Sequence, residues 1–392
     1  MGDGVSSGVS GGSFAFSRRG VLLLCLGVLM VAGVMLHRVY EAWPSDEGSF
    51  FGVPMFRWKA ALATGVFCSG VLAAALGLGA LFWWMVLRVT GAGWSDDVRG
   101  VWCGLCRASV WGWLLVLLVL QVMLPVLYPW AMEAARAAAA GQAVDWGGND
   151  VRGWWLAEPF FKGRSCAVFG LFAVMFLLMG MFRRRGRVRH ERLVAAVCLP
   201  LLVAAVAVAG VDWWMVRSAW VSSMLPFCFL AFGATAAVAS AVLAGAGSWT
   251  KSVVRKMGLL LLAALAFKVY FSYSQFMLIQ YGNLPHEWEF YRVRSAGMWE
   301  GWLPAMFGVW VLCVLAMAFV PACRRRRGAL RVVAVLALAA SAAEGFWYVA
   351  PGIVWDVPDA AFVWVYAGCL AVVAGMGWLV FRAFGSGREA EE

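Results

Sequence analysis

Charged residues are scarce in this sequence of 392 residues. Only 14% are Asp, Glu, Lys or Arg, while 63% are hydrophobic and the mean hydropathy is +0.80. Soluble domains usually have about 25% charged and about 45–50% apolar residues. Alternation of apolar and polar residues is also lacking, because the apolar residues form long runs. These features exclude a soluble fold and a membrane β-barrel, and they predict an all-α polytopic membrane protein.

Histidine is rare as well. His37, His190 and His286 all fall at or outside the ends of the apolar runs, so ligands for a haem within the membrane are missing. Cys103 and Cys106 form a CxxC pair that we expect in a short loop. No His follows this pair and no second CxxC completes a zinc site. The sequence therefore predicts no metal and no bound cofactor, and it leaves a role for the CxxC pair open.

The apolar runs predict about ten membrane-spanning helices within a membrane domain of residues 18–384. A Gly/Ser-rich tail, 1–17, precedes this domain and a short tail, 385–392, follows it. We expect the first run to be a retained anchor rather than a cleaved signal. The predicted spans are 20–36, 60–87, 108–130, 165–182, 193–213, 219–246, 257–281, 299–320, 330–350 and 361–383.

The net charge of +11 arises mainly from arginines in short loops between the spans, such as RRRGRVRHER and RRRRGALR. Most of the 32 Lys and Arg residues fall on one side if the spans alternate. This is the positive-inside pattern, which predicts a bacterial inner-membrane protein with both termini in the cytoplasm. We therefore expect the protein to lie in a lipid membrane and not to bind nucleic acid.

Small residues recur at every fourth position on the second and sixth spans. They are Gly65, Ser69, Ala73 and Gly77, and Gly233, Ala237, Ala241 and Gly245. Small residues on one ridge let helices approach closely. The recurrence predicts two four-helix bundles, spans 2–5 and spans 6–9, plus flanking helices. Chance in helices rich in Ala and Gly is the alternative explanation.

Two ionisable residues lie deep inside apolar runs, Lys268 and Glu344. A charge near the bilayer centre costs roughly 2.5–3.5 kcal/mol on insertion scales, so such residues usually pair or function. The helical rise gives them similar depths, which allows an ion pair or a water-bridged pair. Ser272 and Gln275 share a helical face with Lys268 and suggest a proton half-channel toward the outer surface. A buried pair that only fixes packing is the alternative.

Two outer loops combine aromatic residues with polar ones. Their candidate side chains are Asp212, Trp213 and Trp220 in the first loop, and Tyr281, Asn283, Glu287 and Arg292 in the second. Stacking surfaces and carboxylates suit a quinol headgroup or a subunit contact. An interfacial aromatic belt is the alternative. We assign Asp212 to the proton path and the other six to a quinone-facing or subunit-contact surface.

Several segments resemble the quinone-binding subunit 2 of bacterial alternative complex III, a polysulfide-reductase-like membrane subunit of a quinol:electron-acceptor oxidoreductase. They follow one another in the family's order over roughly residues 58 to 380. The segments are TGAGWSDDVR at 90–99, LYPWA at 127–131, EPFFKGR at 158–164, DWWMVRSAWVSS at 212–223, KVYFSYSQFMLIQYGNLPHEWEFYR at 268–292 and EGFWYVAP at 344–351. The chain departs from the family's pattern at Ser218, Ala219 and His286, and it has Glu344 where the family usually has Asp.

The resemblance implies a place in a respiratory assembly, in which this chain is not catalytic on its own. The implied partners are a sister membrane subunit of the polysulfide-reductase type, an iron–sulfur subunit, and multihaem and monohaem cytochromes c. The resemblance further implies a contribution to the quinone-facing membrane part and to proton translocation. Two other hypotheses stand beside this one, a purely structural membrane scaffold and a proton-coupled secondary transporter.

Overall fold

The computed structural model describes residues 55–142, 150–215, 222–352 and 360–385, and the predicted first span lies outside these ranges. The described chain is helical and contains no β-strand. The helices are α1 Met55–Val89, α2 Ser95–Ala108, α3 Val110–Val122, α4 Leu124–Leu127, α5 Pro129–Ala139, α6 Asp150–Trp155, α7 Glu158–Arg184, α8 Val188–Gly210, α9 Leu225–Gly245, α10 Lys251–Gly282, α11 Pro285–Val293, α12 Trp302–Phe319, α13 Pro321–Arg325, α14 Arg327–Val349 and α15 Ala360–Gly385.

Eight helical segments of the described chain are long and apolar enough to cross a membrane. These eight segments contain α1, α2 with α3, α7, α8, α9, α12, α14 and α15. Helix α10 is not one of the eight, but its 32 residues pack among them as a further long helix. The chain is therefore an all-α multi-pass membrane protein, as the sequence predicts.

The long helices pack as two four-membered rings. In the first ring, α1 contacts α3, α3 contacts α7, α7 contacts α8, and α8 returns to α1. In the second ring, α9, α10, α12 and α14 contact one another in the same cyclic order. We call these rings the first and second bundles. This arrangement agrees with the two bundles expected from the sequence.

The two bundles join along α1 and α9, where small residues bring the backbones together. A Cβ atom added at Gly233 would meet the carbonyl of Ala75, and one at Gly79 would clash with the carbonyl of Gly233. The predicted ridge on α1 faces elsewhere, because Gly77 packs on Ser109 and Gly65 packs on Cys369 of α15. The repeat therefore holds for the helix arrangement, although the two ridges make different contacts.

The third span differs from its predicted range of 108–130. It begins at Ser95 and ends at Val122, since α2 and α3 are separated only by Ser109. Helix α2 is amphipathic, so a hydropathy pattern does not reveal it. After Val122, Pro125 and Pro129 start two short helices, α4 and α5, because proline removes a backbone donor and interrupts a continuing helix.

The CxxC pair was expected in a loop, and this expectation is wrong. Cys103 and Cys106 both lie inside α2, on its buried side. The Cys106 thiol donates a hydrogen bond to the carbonyl of Gly77 at 3.7 Å. The Cys106 thiol is therefore part of the packing between α2 and α1, and Cys103 belongs to the buried core.

Candidate functional site

The predicted ion pair is present in the second bundle. Lys268 on α10 and Glu344 on α14 are each 17 residues from the first residue of their helix, which is roughly 25 Å at 1.5 Å per residue. Lys268 Nζ lies 2.5 Å from Glu344 Oε1, and the two side chains are 0% and 6% exposed. Trp310 of α12 lies beside them, with its ring centroid 5.9 Å from Nζ. Three helices of the bundle therefore enclose the two charges.

Unpartnered polar atoms continue from this pair along one side of α10. Glu344 Oε2, Ser272 Oγ and Gln275 Nε2 are buried and have no hydrogen-bond partner. Gln275 Oε1 accepts a hydrogen bond from the hydroxyl of Ser222, just before α9. Buried polar atoms of this kind are usually satisfied by ordered water. We call the set Glu344, Lys268, Ser272, Gln275 and Ser222 the polar track.

The opposite direction from the pair is apolar. Leu261 and Leu265 of α10 and Ala337 of α14 are fully buried there. The nearby hydroxyls of Thr235 and Ser341 donate to the carbonyls of Ala264 and Ala337. These hydroxyls are thereby committed to the helix backbones, so the polar track extends only toward the Ser222 end of the bundle.

Asp212 has a different environment from the one expected. It lies in a π-helical turn, Val211–Met215, directly after α8 in the first bundle. Its two carboxylate oxygens accept hydrogen bonds from Nε and Nη2 of Arg164, both at 2.7 Å. The guanidinium of Arg164 also stacks on the ring of Trp155 at 3.8 Å. The structure thus places Asp212 in a closed ion pair rather than beside Lys268 and Glu344.

A third buried ion pair lies at the other end of α8. Glu191 Oε2 is 2.7 Å from Nη2 of Arg88, and Glu191 Oε1 accepts a hydrogen bond from Trp84 Nε1 at 3.1 Å. Sequence reasoning singled out neither Arg164 nor this pair. One signal was present for Glu191, because it is the lone acid in an arginine-rich loop.

The residues expected on a quinone-facing or subunit-contact surface lie in different environments. Trp213 is 1% exposed and packs between Trp113 and Phe229. Tyr281 is 81% exposed near the end of α10, where Asn283 ends the helix with φ at 46°.

Two of the remaining three residues lie on α11, directly after Tyr281 and Asn283. Arg292 is exposed and pairs with Glu289, whose pKa it holds below the usual value, while Glu287 is half-buried on α11. Trp220 lies outside the described residues. The described members therefore divide between the enclosed Trp213 and four residues at the end of α10 and on α11.

No protein-family model matches the chain, and no curated protein does. Within the described ranges, no three His, Cys, Asp or Glu side chains group as a metal site.

Proposed function

We propose that this chain is an integral membrane subunit of a respiratory quinol-oxidising complex of the alternative complex III type, in which Glu344 exchanges protons along the polar track. The observation that carries the proposal is the Lys268–Glu344 pair, together with the unpartnered second oxygen of Glu344. The place in such a complex rests on the resemblance of the segments from residue 90 to residue 351.

The chemistry of the track follows from its polar atoms. Lys268 stabilises the ionised form of Glu344 and limits the cost of burying that charge. Water bound at Ser272 Oγ and Gln275 Nε2 would connect Glu344 with Ser222, and a proton could then pass between Glu344 and the Ser222 end. By the positive-inside pattern, this end faces away from the cytoplasm.

Quinone has no step in this proposal. We give the residues assigned to a headgroup surface no part in quinol oxidation, because Trp213 is enclosed in the first bundle and Tyr281 is exposed at the end of α10. We therefore assign quinol oxidation to the sister membrane subunit. The role of this chain is to complete the membrane part and to conduct protons.

The test is Glu344→Gln in the assembled complex, because glutamine retains the shape of the side chain and cannot ionise. We expect fewer protons released per electron, with the complement of subunits unchanged. Glu289→Gln is the matched control, since Glu289 forms a solvent-exposed pair with Arg292 on α11. Unchanged proton release in the Glu344 variant would contradict proton conduction.

A structural scaffold is the second candidate, and the closed Arg164–Asp212 pair favours it by showing that buried charges here also fix packing. Changing Lys268→Met and Glu344→Leu together separates the two functions. A scaffold retains full turnover and proton release in this double variant, whereas the proton path loses proton release. Purification without cytochromes c would contradict both and favour a transporter.

A further inference from the structure

The segment of residues 183–192 carries an unusually one-sided charge. It covers the end of α7, the connecting turn and the start of α8, and we call it the α7–α8 loop. Between residues 183 and 192 the sequence reads RRRGRVRHER, with six arginines, one histidine and one acid. That acid, Glu191, is 1% exposed and is held by Arg88 and Trp84 below the surface. The loop's own negative charge is therefore withdrawn from solvent.

Several arginines of this loop are exposed on the surface of the protein. Arg184, Arg185, Arg187 and Arg189 are exposed, and within the described part of the chain the structure gives their guanidinium groups no partner. His190 stacks on Phe182 at 5.6 Å and stays exposed. This surface therefore presents several hydrogen-bond donors and no nearby exposed carboxylate of its own loop.

The second arginine-rich segment, before α14, leaves Arg325 and Arg326 exposed but uses two other arginines differently. Arg324 donates to the carbonyls of Met317 and Ala318, and Arg327 donates to those of Gly247 and Trp249. These guanidinium groups connect helix ends within the protein. An arginine at a helix end can thus be bonded to backbone carbonyls and be unable to bind a ligand.

An exposed aliphatic column begins directly below the free arginines. Arg189 is followed on α8 by Leu193, Val197 and Leu201 at spacings of four residues, and the three are 63%, 58% and 50% exposed. The column from Arg189 to Leu201 is roughly 18 Å long at 1.5 Å per residue. This length is close to one leaflet of a hydrocarbon core about 30 Å thick.

We propose that Arg184, Arg185 and Arg189, with the aliphatic column on α8, form a binding site for an anionic phospholipid. The guanidinium groups would donate hydrogen bonds to the headgroup phosphate, and an acyl chain would lie along Leu193, Val197 and Leu201. A free phosphate would engage the arginines only. The column is therefore the feature that selects a lipid.

The full chain, purified and exchanged into bilayers of phosphatidylcholine with a minority of phosphatidylglycerol, tests this site by native mass spectrometry of retained lipid. We expect wild type to retain phosphatidylglycerol preferentially. Arg184→Gln, Arg185→Gln and Arg189→Gln should each weaken retention about fivefold. Leu193→Gln with Val197→Gln should also reduce it while leaving every arginine in place.

The matched control removes the same charge from exposed arginines elsewhere, by changing Arg255, Arg325 and Arg326 to Gln. Retention unchanged in the control and lost in the loop triple variant supports the site. An equal loss of phosphatidylglycerol retention in the control and in the loop triple variant would mean that only overall charge matters, and this would overturn the proposal. Displacement of phosphatidylglycerol by equimolar inorganic phosphate, or retention unaffected by the α8 column variant, would also overturn it. If the triple variant does not fold, the retention of phosphatidylglycerol by Arg189→Gln alone tests the proposal.

Discussion

The two bundles share one helix arrangement but treat their buried charges differently. In the first bundle each buried carboxylate is fully satisfied, Asp212 by two donors of Arg164 and Glu191 by Arg88 and Trp84. In the second bundle Glu344 has one partner, and its other oxygen has none. A carboxylate whose two oxygens are both hydrogen-bonded fixes local geometry. A carboxylate with a free oxygen next to polar atoms can bind water and accept protons.

The position of the charges differs as well. The ion pairs of the first bundle lie at the two ends of α8, whereas Lys268 and Glu344 lie inside their helices, with apolar residues on one side of them. Because the first bundle forms the same ring without an interior pair of this kind, the ring itself does not require one. The ring arrangement alone therefore does not account for the pair in the second bundle.

The largest effect should come from opening a closed pair. Asp212→Leu leaves the guanidinium of Arg164 buried without its carboxylate, and breaking a buried pair in this way costs roughly 3–5 kcal/mol. The measurement is the free energy of unfolding in detergent. Glu289→Gln, at an exposed pair, is the control and should not change it measurably. If Asp212→Leu lowers the free energy of unfolding no more than the control does, the distinction between closed and open pairs is wrong.

A smaller effect is expected at the junction of the bundles. Gly233→Ala places a methyl group against the carbonyl of Ala75, and overpacking of this kind costs about 1–3 kcal/mol. Gly170→Ala on α7 is the control, because an added Cβ there meets nothing within 4 Å. Thermal unfolding of both variants measures the difference. Equal stability would show that α1 and α9 are not closely packed.

Removing one polar group from the track should change stability little. Gln275→Leu loses one hydrogen bond from Ser222, which is worth about 1 kcal/mol. The same variant should lower proton release per electron in the complex, because it interrupts the track between Glu344 and the Ser222 end. Normal proton release would remove Gln275 from the path.

The smallest effect on stability is expected for the double change Lys268→Met and Glu344→Leu. Replacing a buried ion pair by apolar residues is often neutral, so the free energy of unfolding should stay within about 1 kcal/mol of wild type or rise. The corresponding double change at the closed pair, Arg164→Met with Asp212→Leu, provides the comparison across bundles. If only the double variant of Lys268 and Glu344 loses much of its free energy of unfolding, a structural role for this pair is favoured.

The sequence was sufficient for the ion pair, for reasons that can be stated physically. Lys268 and Glu344 are isolated charges in apolar runs, and the fixed rise of a helix converts their positions into depth. The matching depth allows an ion pair or a water-bridged pair, and the structure shows a direct ion pair. Their part in proton conduction stays a prediction.

Other parts of the site could not be found in this way. The pairs Arg164–Asp212 and Arg88–Glu191 lie at or beside the ends of the predicted spans. Charges are common at span ends, so their depth does not single them out. The start of the third span was missed because α2 buries Trp102 and Cys106 on one face and exposes Asp96 and Asp97 on the other. Hydropathy averages such faces together.

The most direct test of the account is labelling by a hydrophobic carbodiimide, which attaches to protonated carboxyl groups within membranes, followed by peptide mapping. If Glu344 takes up protons and the closed carboxylates do not, Glu344 should be modified while Asp212 and Glu191 remain unmodified. Modification of all three to the same extent, or of Asp212 and Glu191 but not Glu344, would contradict the account.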